Sequence, residues 1–386
     1  MNDSSSVSSG TQLHIRVSCK PNVNPANGAE NAIVTVTDHD YLPAACCLLV
    51  SAASHLDADS KTQLFLVLCD VRERDIREAR CFFDTRGLSV EIIVVDFVDK
   101  MLAPLQTRFP RAAYLRLYLD WIFDRQWSRV LYLDADMRVC APLAPLLRTE
   151  LWGKPIGAVH DFIYYVTGNI HRRRRDLGLA ADAPYFQSGM ILFDWKKIHD
   201  REELAASRRF LAEHPDGCHE APDQDALNGT FENRWRPIDP RWNLGHLYLM
   251  FGGNLQPKIM HFTATKPWSR GRPRAWRCAA QWYQQELANS AWSDFVEQQS
   301  LGDIARAEFS SALHLYGPRL REVIERKLPL LRELLGWKPW PDSSGYMPWV
   351  PRRKQDVDDM AVALIRAVET GKSLRPPESA LANGHW

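Results

Sequence analysis

Short apolar runs alternate with amphipathic ones through the first third of the chain. Ala32–Thr37, Gln63–Cys69, Val90–Asp96 and Arg129–Leu133 are dense in Val, Ile and Leu and read as buried strands. Between them, Pro43 opens a helical stretch over Ala44–His55, Arg72–Asp84 is amphipathic and closes near Gly87, and Arg111–Asp124 reads as a third helix. A β-α-β-α-β-α-β order of this kind predicts an α/β fold, a parallel sheet with helices on both faces. After residue 136 the alternation loosens. Ile156–Asp161 and Tyr185–Asp194 read as strands, the second with a glycine inside it. His171–Asp176 reads as a solvated basic loop. Trp195–His214 is helical, Ala221–Asn228 starts a helix that Asp223 is placed to cap, and Lys258–Phe262 is a last strand.

The two ends differ from this middle. Residues 1–30 are rich in Ser, Asn and Pro without periodicity, which predicts a flexible arm. Beyond residue 300, Leu301–Tyr316, Arg319–Lys327 and Leu330–Leu335 read as short helices cut by Pro318 and Pro329. An extended Trp/Pro segment, Trp337–Pro351, follows, and then a helix over Asp356–Thr370 ended by Gly371. The expected division is an arm over 1–30, a main domain over 31–270 and a helical appendage over 271–386.

Composition narrows the classes. With 386 residues, 45% hydrophobic and 25% charged, the chain is ordinary globular material for one large domain plus an appendage. A formal net charge of +1 gives no global field for nucleic acid. The polar start MNDSSSVSSG lacks the basic and apolar regions of a signal peptide, and no run of 18 apolar residues is present. Eight cysteines without Cys-x-x-Cys fit reduced structural thiols, and hence the cytoplasm, with peripheral contact at the inner membrane face as the alternative.

The candidate chemistry sits where the fourth strand stops, on Asp134-Ala135-Asp136. In an open α/β sheet ligands bind beyond the carboxyl ends of strands, and paired carboxylates there suit Mg²⁺ or Mn²⁺ bridging to phosphates. Asp-x-Asp occurs five times in the chain, so only the strand in front of Asp134 lifts this copy above the others. No Gly-x-Gly-x-x-Gly or Walker loop is present, so a phosphate-bearing ligand has to be held by metal and side chains.

Taken in order, these motifs resemble glycosyltransferase family 8 over roughly residues 31–269. Strand one with Asp38-His-Asp40-Tyr41 resembles the uridine-binding turn. Tyr114-Leu-Arg116-Leu is similar to the family's Tyr-x-Arg-Leu helix, and Leu131-Tyr-Leu-Asp134-Ala-Asp136 to its metal motif. Asp161 stands where an acidic residue lies at the sugar pocket. Tyr185-Phe-Gln187-Ser188-Gly189 resembles Phe-Asn-Ala/Ser-Gly, Asp223-Gln224-Asp225 the Asp-Gln-Asp motif, and Trp242-Asn243 also fits. His261-Phe-Thr-Ala-Thr-Lys266-Pro-Trp268 is similar to His-Phe-x-Gly-x-x-Lys-Pro-Trp. Three departures stand out: Gln187 for Asn, Ala264 for Gly, and a segment from His261 to Lys266 that is one residue shorter.

The resemblance implies a GT-A fold, a Rossmann-like nucleotide-diphospho-sugar transferase, and a retaining hexosyl transfer from UDP-glucose or UDP-galactose. The implied acceptor is a saccharide or lipid-linked saccharide, as in lipopolysaccharide biosynthesis. It implies Asp134, Asp136 and His261 as ligands of Mn²⁺, with Mg²⁺ as the alternative. Thr37, Asp38, Asp40, Tyr41, Ala135, Ser188 and Gly189 would contact the donor. Lys266 would face its diphosphate, Arg116 would reach the donor, and Asp161, Gln187 and Asp223 would bond its sugar hydroxyls. Asp223, Gln224 and Arg116 are the implied catalytic set, with Gln224 by the anomeric carbon. By chemistry alone Arg116, mid-helix among apolar residues, requires an anionic partner, either a structural carboxylate or the donor. The four arginines 172–175 would touch an anionic acceptor if they are more than a solvated loop, and Trp242 and Trp268 either stack on sugars or pack in the core. The competing classes are a nucleotide-sugar-binding relative without turnover and an aspartyl phosphotransferase. The latter needs Thr or Val where Arg138 stands.

Overall fold

The structure, a computed structural model, describes residues 23, 25, 28–95, 110–162, 164, 170–218, 221–245, 248, 255–263, 265–312 and 354–370. Most of the arm, the helices expected over Arg319–Lys327 and Leu330–Leu335, the Trp/Pro segment and Ala264 lie outside those residues.

The first half follows the pattern: β1 Asn31–Thr37, α1 Leu42–Ala53, β2 Thr62–Cys69, α2 Glu73–Asp84 and β3 Val90–Val95. They are followed by β4 Arg129–Leu133. With β6 Ile156–His160, β7 Phe186–Asp194 and β8 Trp235–Pro237 they form a seven-stranded sheet ordered β3-β2-β1-β4-β7-β6-β8. The strands β1 to β4 run parallel, whereas β7 is antiparallel to both of its neighbours. A small sheet of β5 Met137–Val139, β9 Leu244–Gly245 and β10 Ile259–His261 lies beside the end of β4.

Alternation along each strand feeds two cores. Ile33, Leu64, Leu66, Leu68 and Leu131 pack on one side with α1 and α2, while Val34, Phe65, Val67, Val130 and Tyr132 pack on the other. Covering both faces explains why these strands read as continuous apolar runs, and each fully buried aliphatic or aromatic side chain contributes about 1.5–3 kcal/mol. Helix α1, entered through Pro43, buries Cys46 and Cys47 completely as free thiols, and burial pushes both thiols up.

Three expectations need correction. The helix expected over Arg111–Asp124 is broken into α3 Arg111–Tyr114, a tighter 3-10 turn Leu115–Tyr118 and α4 Leu119–Ile122. The break accompanies a buried guanidinium, that of Arg116, whose Nε donates to the Ala113 carbonyl at 3.0 Å. The helix expected over Trp195–His214 is two, α7 Trp195–Asp200 and α8 Glu203–Glu213 (α5, Ala144–Leu147, and α6 precede them), parted at Glu202, whose φ is +49°. The basic loop over His171–Asp176 is a helix, α6 Ile170–Asp176, with Arg173 and Arg174 buried. Arg173 Nη2 meets Asp225 at 2.5 Å and the Gly217 carbonyl at 2.9 Å, and Arg174 donates to the carbonyls of Ala181 and Ala183.

His160, at the end of β6, sits edge-on to Trp235 with ring centroids 4.9 Å apart. Burial, with help from Arg174, lowers its imidazole to about 4. An unfolded histidine protonates near pH 6.5, so between these values the unfolded chain binds more protons and stability falls as pH falls. From pH 7 to 4 the wild type should lose about 3 kcal/mol more than His160→Phe. Urea midpoints at both pH values measure the difference, and equal losses would refute it.

Helix α9, Pro222–Thr230, packs beside α8. Helix α10, Arg277–Leu287, contributes Ala279, Ala280, Tyr283 and Leu287 to the same core as α1. Residues 301–312 are helical, and α11, Lys354–Thr370, is joined to earlier residues through Tyr248 Oη donating to Asp358 at 2.7 Å and Arg236 Nη2 donating to the Val368 carbonyl at 3.2 Å. Among the described residues no helix is long and apolar enough to cross a membrane.

Candidate active site

A cleft of about 300 Å³ opens where β1 and β4 end. β1 delivers Thr37 and Asp38, β4 ends on Asp134, Ala135 and Asp136, β10 supplies His261, β7 supplies Gln187 and Ser188, and α9 supplies Asp223 and Gln224. Tyr41, Arg116 and Lys266 complete the wall. Residues far apart in sequence meet here because neighbouring parallel strands end at one edge of the sheet.

Asp134, Asp136 and His261 each offer one atom, and these atoms lie within 4.8 Å of one another. His261 Nε2 is 3.2 Å from Asp136 Oδ1 and 3.7 Å from Asp134 Oδ2. Two carboxylates and an imidazole fit a divalent cation of the Mn²⁺ or Mg²⁺ kind, with the nitrogen favouring Mn²⁺. The space for such a group depends on Gly189. A Cβ there would stand 2.5 Å from His261 Cε1, 2.6 Å from Asp134 Oδ2 and 2.9 Å from Gln187 Oε1. Gly189→Ala is therefore expected to cost roughly 1–3 kcal/mol through overpacking and to weaken Mn²⁺ binding at least about tenfold by displacing the ligands. Thermal unfolding and an Mn²⁺ titration check the two effects separately, and wild-type metal affinity in a folded Ala variant would contradict the geometry.

The charges around the triad are tightly paired. Arg116 bridges Asp134 at 2.8 Å and Asp223 at 3.0 Å, and donates to the carbonyl and hydroxyl of Ser188. Burial works against its charge, but Asp134 and Asp223 more than offset that and hold the guanidinium protonated. Of the two partners the sequence allowed, the structure shows the carboxylates, and both belong to the cleft. Tyr132 Oη donates to Asp134 at 2.8 Å. Lys266 contacts Asp136 and donates to the Phe262 carbonyl at 2.6 Å. Burial raises the Asp136 carboxyl, but Lys266 and His261 outweigh it and hold it well below the usual carboxylate range. Burial would lower the Lys266 ammonium, and Asp136 raises it instead. Burial pushes the Asp223 carboxyl up, and Arg116 only partly offsets this.

Behind the wall lies a second layer. Gln224 Oε1 accepts from the Ser188 backbone N–H at 2.9 Å, and Nε2 donates to Asp161 at 2.9 Å and to Tyr185 Oη at 3.3 Å. Ser188 has this N–H to give because the β6–β7 pairing slips, from Ala158 opposite Ile191 to Val159 opposite Gln187. Asp161 thus stands behind Gln224 and is buried. Asp223 is not the cap of α9: the helix begins at Pro222 after Ala221, and the Asp223 carboxylate turns to Arg116 and Ser188. Asp38 accepts from the backbone N–H groups of Asp40 and Tyr41, and the side chain of Asp40 is exposed. Trp242 and Trp268 are buried in the core, Trp268 edge-on to Tyr41. Tyr132 could have been found from the sequence, since it lies two residues before Asp134 on the same face of β4. Arg173 carries no local signal for its place here, while Tyr185 and Asn243 lie inside matched motifs that give neither of them a role of its own.

A doubly wound sheet with this carboxylate edge is the architecture of GT-A glycosyltransferases. The structure of the galactosyltransferase LgtC, in complex with donor and acceptor sugar analogues, superposes with a TM-score of 0.59 at 22% identity, covering 68% of this chain and 99% of that one. The bifunctional glycosyltransferase WbbM gives 0.55 at 19% identity, covering 74% of this chain and 53% of its own. By sequence, residues 32–271 match the profile of Glycosyl transferase family 8, and the chain belongs to that family. It is 26% identical over 272 residues to General stress protein A of Bacillus subtilis strain 168, covering 64% of this chain and 90% of the relative. It is also 26% identical over 208 residues to the lipopolysaccharide 1,2-glucosyltransferase of Escherichia coli K12, covering 50% of this chain and 58% of that protein.

Proposed function

We propose that the protein is a metal-dependent, retaining hexosyltransferase that moves glucose or galactose from its UDP derivative to a saccharide or lipid-linked saccharide. The observation that carries this reading is the meeting of Asp134, Asp136 and His261 beside two fixed cations, Arg116 and Lys266, at the sheet edge. Mn²⁺ held by the three ligands would neutralise the diphosphate and stabilise charge on the leaving UDP. Lys266 adds a preorganised positive charge at the same place, and one such donor is typically worth ~3 kcal/mol. A cation held at Asp136 would compete with the Lys266 ammonium for that carboxylate and so would leave the ammonium free to face the phosphate. Thr37, Asp38 and Tyr41 would hold the uridine, and Gln187, Asp223 and, through Gln224, Asp161 the sugar.

Retention follows best from attack on the face the leaving group vacates. Both ends of the Gln224 amide are engaged, its carbonyl by the Ser188 N–H, which makes a poor nucleophile poorer. The acceptor hydroxyl forms the new glycosidic bond as the sugar–phosphate bond breaks, and its proton passes to the departing phosphate oxygen. A lipid-linked acceptor would bring the protein to the inner face of the membrane.

UDP binding measured by calorimetry, with and without Mn²⁺, tests the metal step. Chelation is expected to weaken it at least about tenfold, since the metal carries the diphosphate contacts. UDP release from UDP-glucose and UDP-galactose then tests turnover. Equal UDP affinity after chelation would refute metal dependence, and binding without release would identify a non-catalytic sugar-nucleotide binder.

A further inference from the structure

The metal triad rests on a chain of hydrogen bonds whose proton positions follow from one backbone group. The Gly189 N–H lies 2.6 Å from Gln187 Oε1. A backbone N–H is a donor only, so the Gln187 atom facing it is the carbonyl oxygen. Asn243 places an atom 2.6 Å from the same oxygen, and that atom is therefore its donor, Nδ2. The other end of the Asn243 amide, Oδ1, faces His261 Nδ1 at 2.9 Å, and an acceptor there requires a proton on Nδ1. Each assignment forces the next. Both lone pairs of Gln187 Oε1 are then used, which leaves its NH₂ group as what Gln187 can offer the cleft it lines.

We infer that Asn243 and Gln187 are positioning residues of the metal site. Hydrogen bonds running out from the Gly189 N–H fix the His261 proton on Nδ1, leave Nε2 as the ligand atom, and turn the Gln187 NH₂ toward the sugar. The inference rests on the metal reading proposed above. It gives Gln187 a specificity role as well: the site presents donors alone at that point, so it takes a hexose offering a hydroxyl oxygen there and rejects one offering an ammonium. Asn243 is 8% exposed and His261 2%, so water does not readily substitute for either bond. Outer partners that orient a ligating histidine typically govern metal affinity by 10–100-fold.

The test of the metal ligands needs no nucleotide, which separates it from the sugar-transfer reading. In protein labelled with ¹⁵N-histidine and loaded with Zn²⁺ as a diamagnetic stand-in, the His261 signal, identified by its loss in His261→Gln, should show hydrogen on Nδ1 and metal at Nε2. Metal at Nδ1, or hydrogen on Nε2, overturns the inference. Free Mn²⁺ followed by electron paramagnetic resonance should give a dissociation constant about 10–100-fold weaker in Asn243→Leu. Gln187→Glu keeps the accepting oxygen, so its His261 signal should still show hydrogen on Nδ1, while its affinity for UDP-glucose relative to UDP falls because a donor has become an acceptor. Should Asn243→Leu fail to fold, Gln187→Met breaks the chain one step earlier and should also lose about tenfold or more in Mn²⁺ affinity. Wild-type Mn²⁺ affinity in a folded Asn243→Leu or Gln187→Met protein overturns the inference. Absence of UDP binding with the histidine and Mn²⁺ results intact would refute only the sugar-transfer reading.

Discussion

Asp136→Ala is expected to lower turnover by roughly 10³-fold or more and to bring UDP affinity in Mn²⁺ down to the level of chelated wild type. Among the three proposed ligands, Asp136 is the one whose loss removes most. Asp134 is anchored twice over, by Arg116 at 2.8 Å and by Tyr132 Oη at 2.8 Å, and keeps its position without its neighbour. Asp136 instead links His261 Nε2, 3.2 Å away, to Lys266. Removing it takes one of the three proposed ligands and also the carboxylate at which cation and ammonium would meet. Asp136→Asn is the sharper control, because it keeps the shape and one oxygen while removing the charge. It should bind Mn²⁺ better than the alanine variant and still turn over far more slowly than wild type. UDP release under saturating Mn²⁺, with circular dichroism to confirm folding, decides the matter. A folded Asp136→Ala protein releasing UDP at even a tenth of the wild-type rate would remove the metal from the mechanism.

The second large effect concerns stability. Arg173 and Asp225 have no exposed side-chain surface and meet at 2.5 Å. Asp225 also accepts from Tyr185 Oη at 2.6 Å and from the Ala221 N–H at 3.3 Å. Burial penalises the Arg173 guanidinium, and Asp225 more than offsets this, while burial also pushes the Asp225 carboxyl up and Arg173 and Tyr185 only partly offset that. Breaking such a pair from one side leaves an uncompensated buried charge, which typically costs about 3–5 kcal/mol. Arg173→Met and Asp225→Leu should each lose that much in urea unfolding, and the double variant clearly less than the sum. Losses below about 1 kcal/mol in both single variants would show that the helix α6 contact carries little of the fold. Because Tyr185 links Asp225 to Gln224, the single variants should also slow turnover, to a degree that the double variant does not fully recover.

The first five parallel or helical elements were legible because local pattern and final burial agree there. Leu64, Leu66 and Leu68 alternate with Phe65, Val67 and Cys69, and both sets are buried. The strand ending on Asp134 was readable for the same reason, and so was its place at the sheet edge. What local pattern could not show depends on partners distant in sequence. Arg173 looks like part of a solvated run until Asp225 and Gly217 come into contact with it. Asp223 looks like a cap until Arg116 draws its carboxylate across the cleft. The break at Leu115–Tyr118 has no glycine or proline to announce it, and it accompanies a charge held within the protein.

The three-residue slip between β6 and β7 has a bearing on how such proteins diversify. Across Ser188, Gly189 and Met190 the strand carries no rungs on its β6 side, although it stays bound to β4 through Met190 opposite Leu133 and Gly189 opposite the Asp134 N–H. There the N–H groups of the strand answer to side chains of the cleft, Ser188 to Gln224 and Gly189 to Gln187, and not to an outer strand. Changes in the outer strands can thereby leave the hydrogen bonds of the cleft in place, so that the two parts diverge at different speeds.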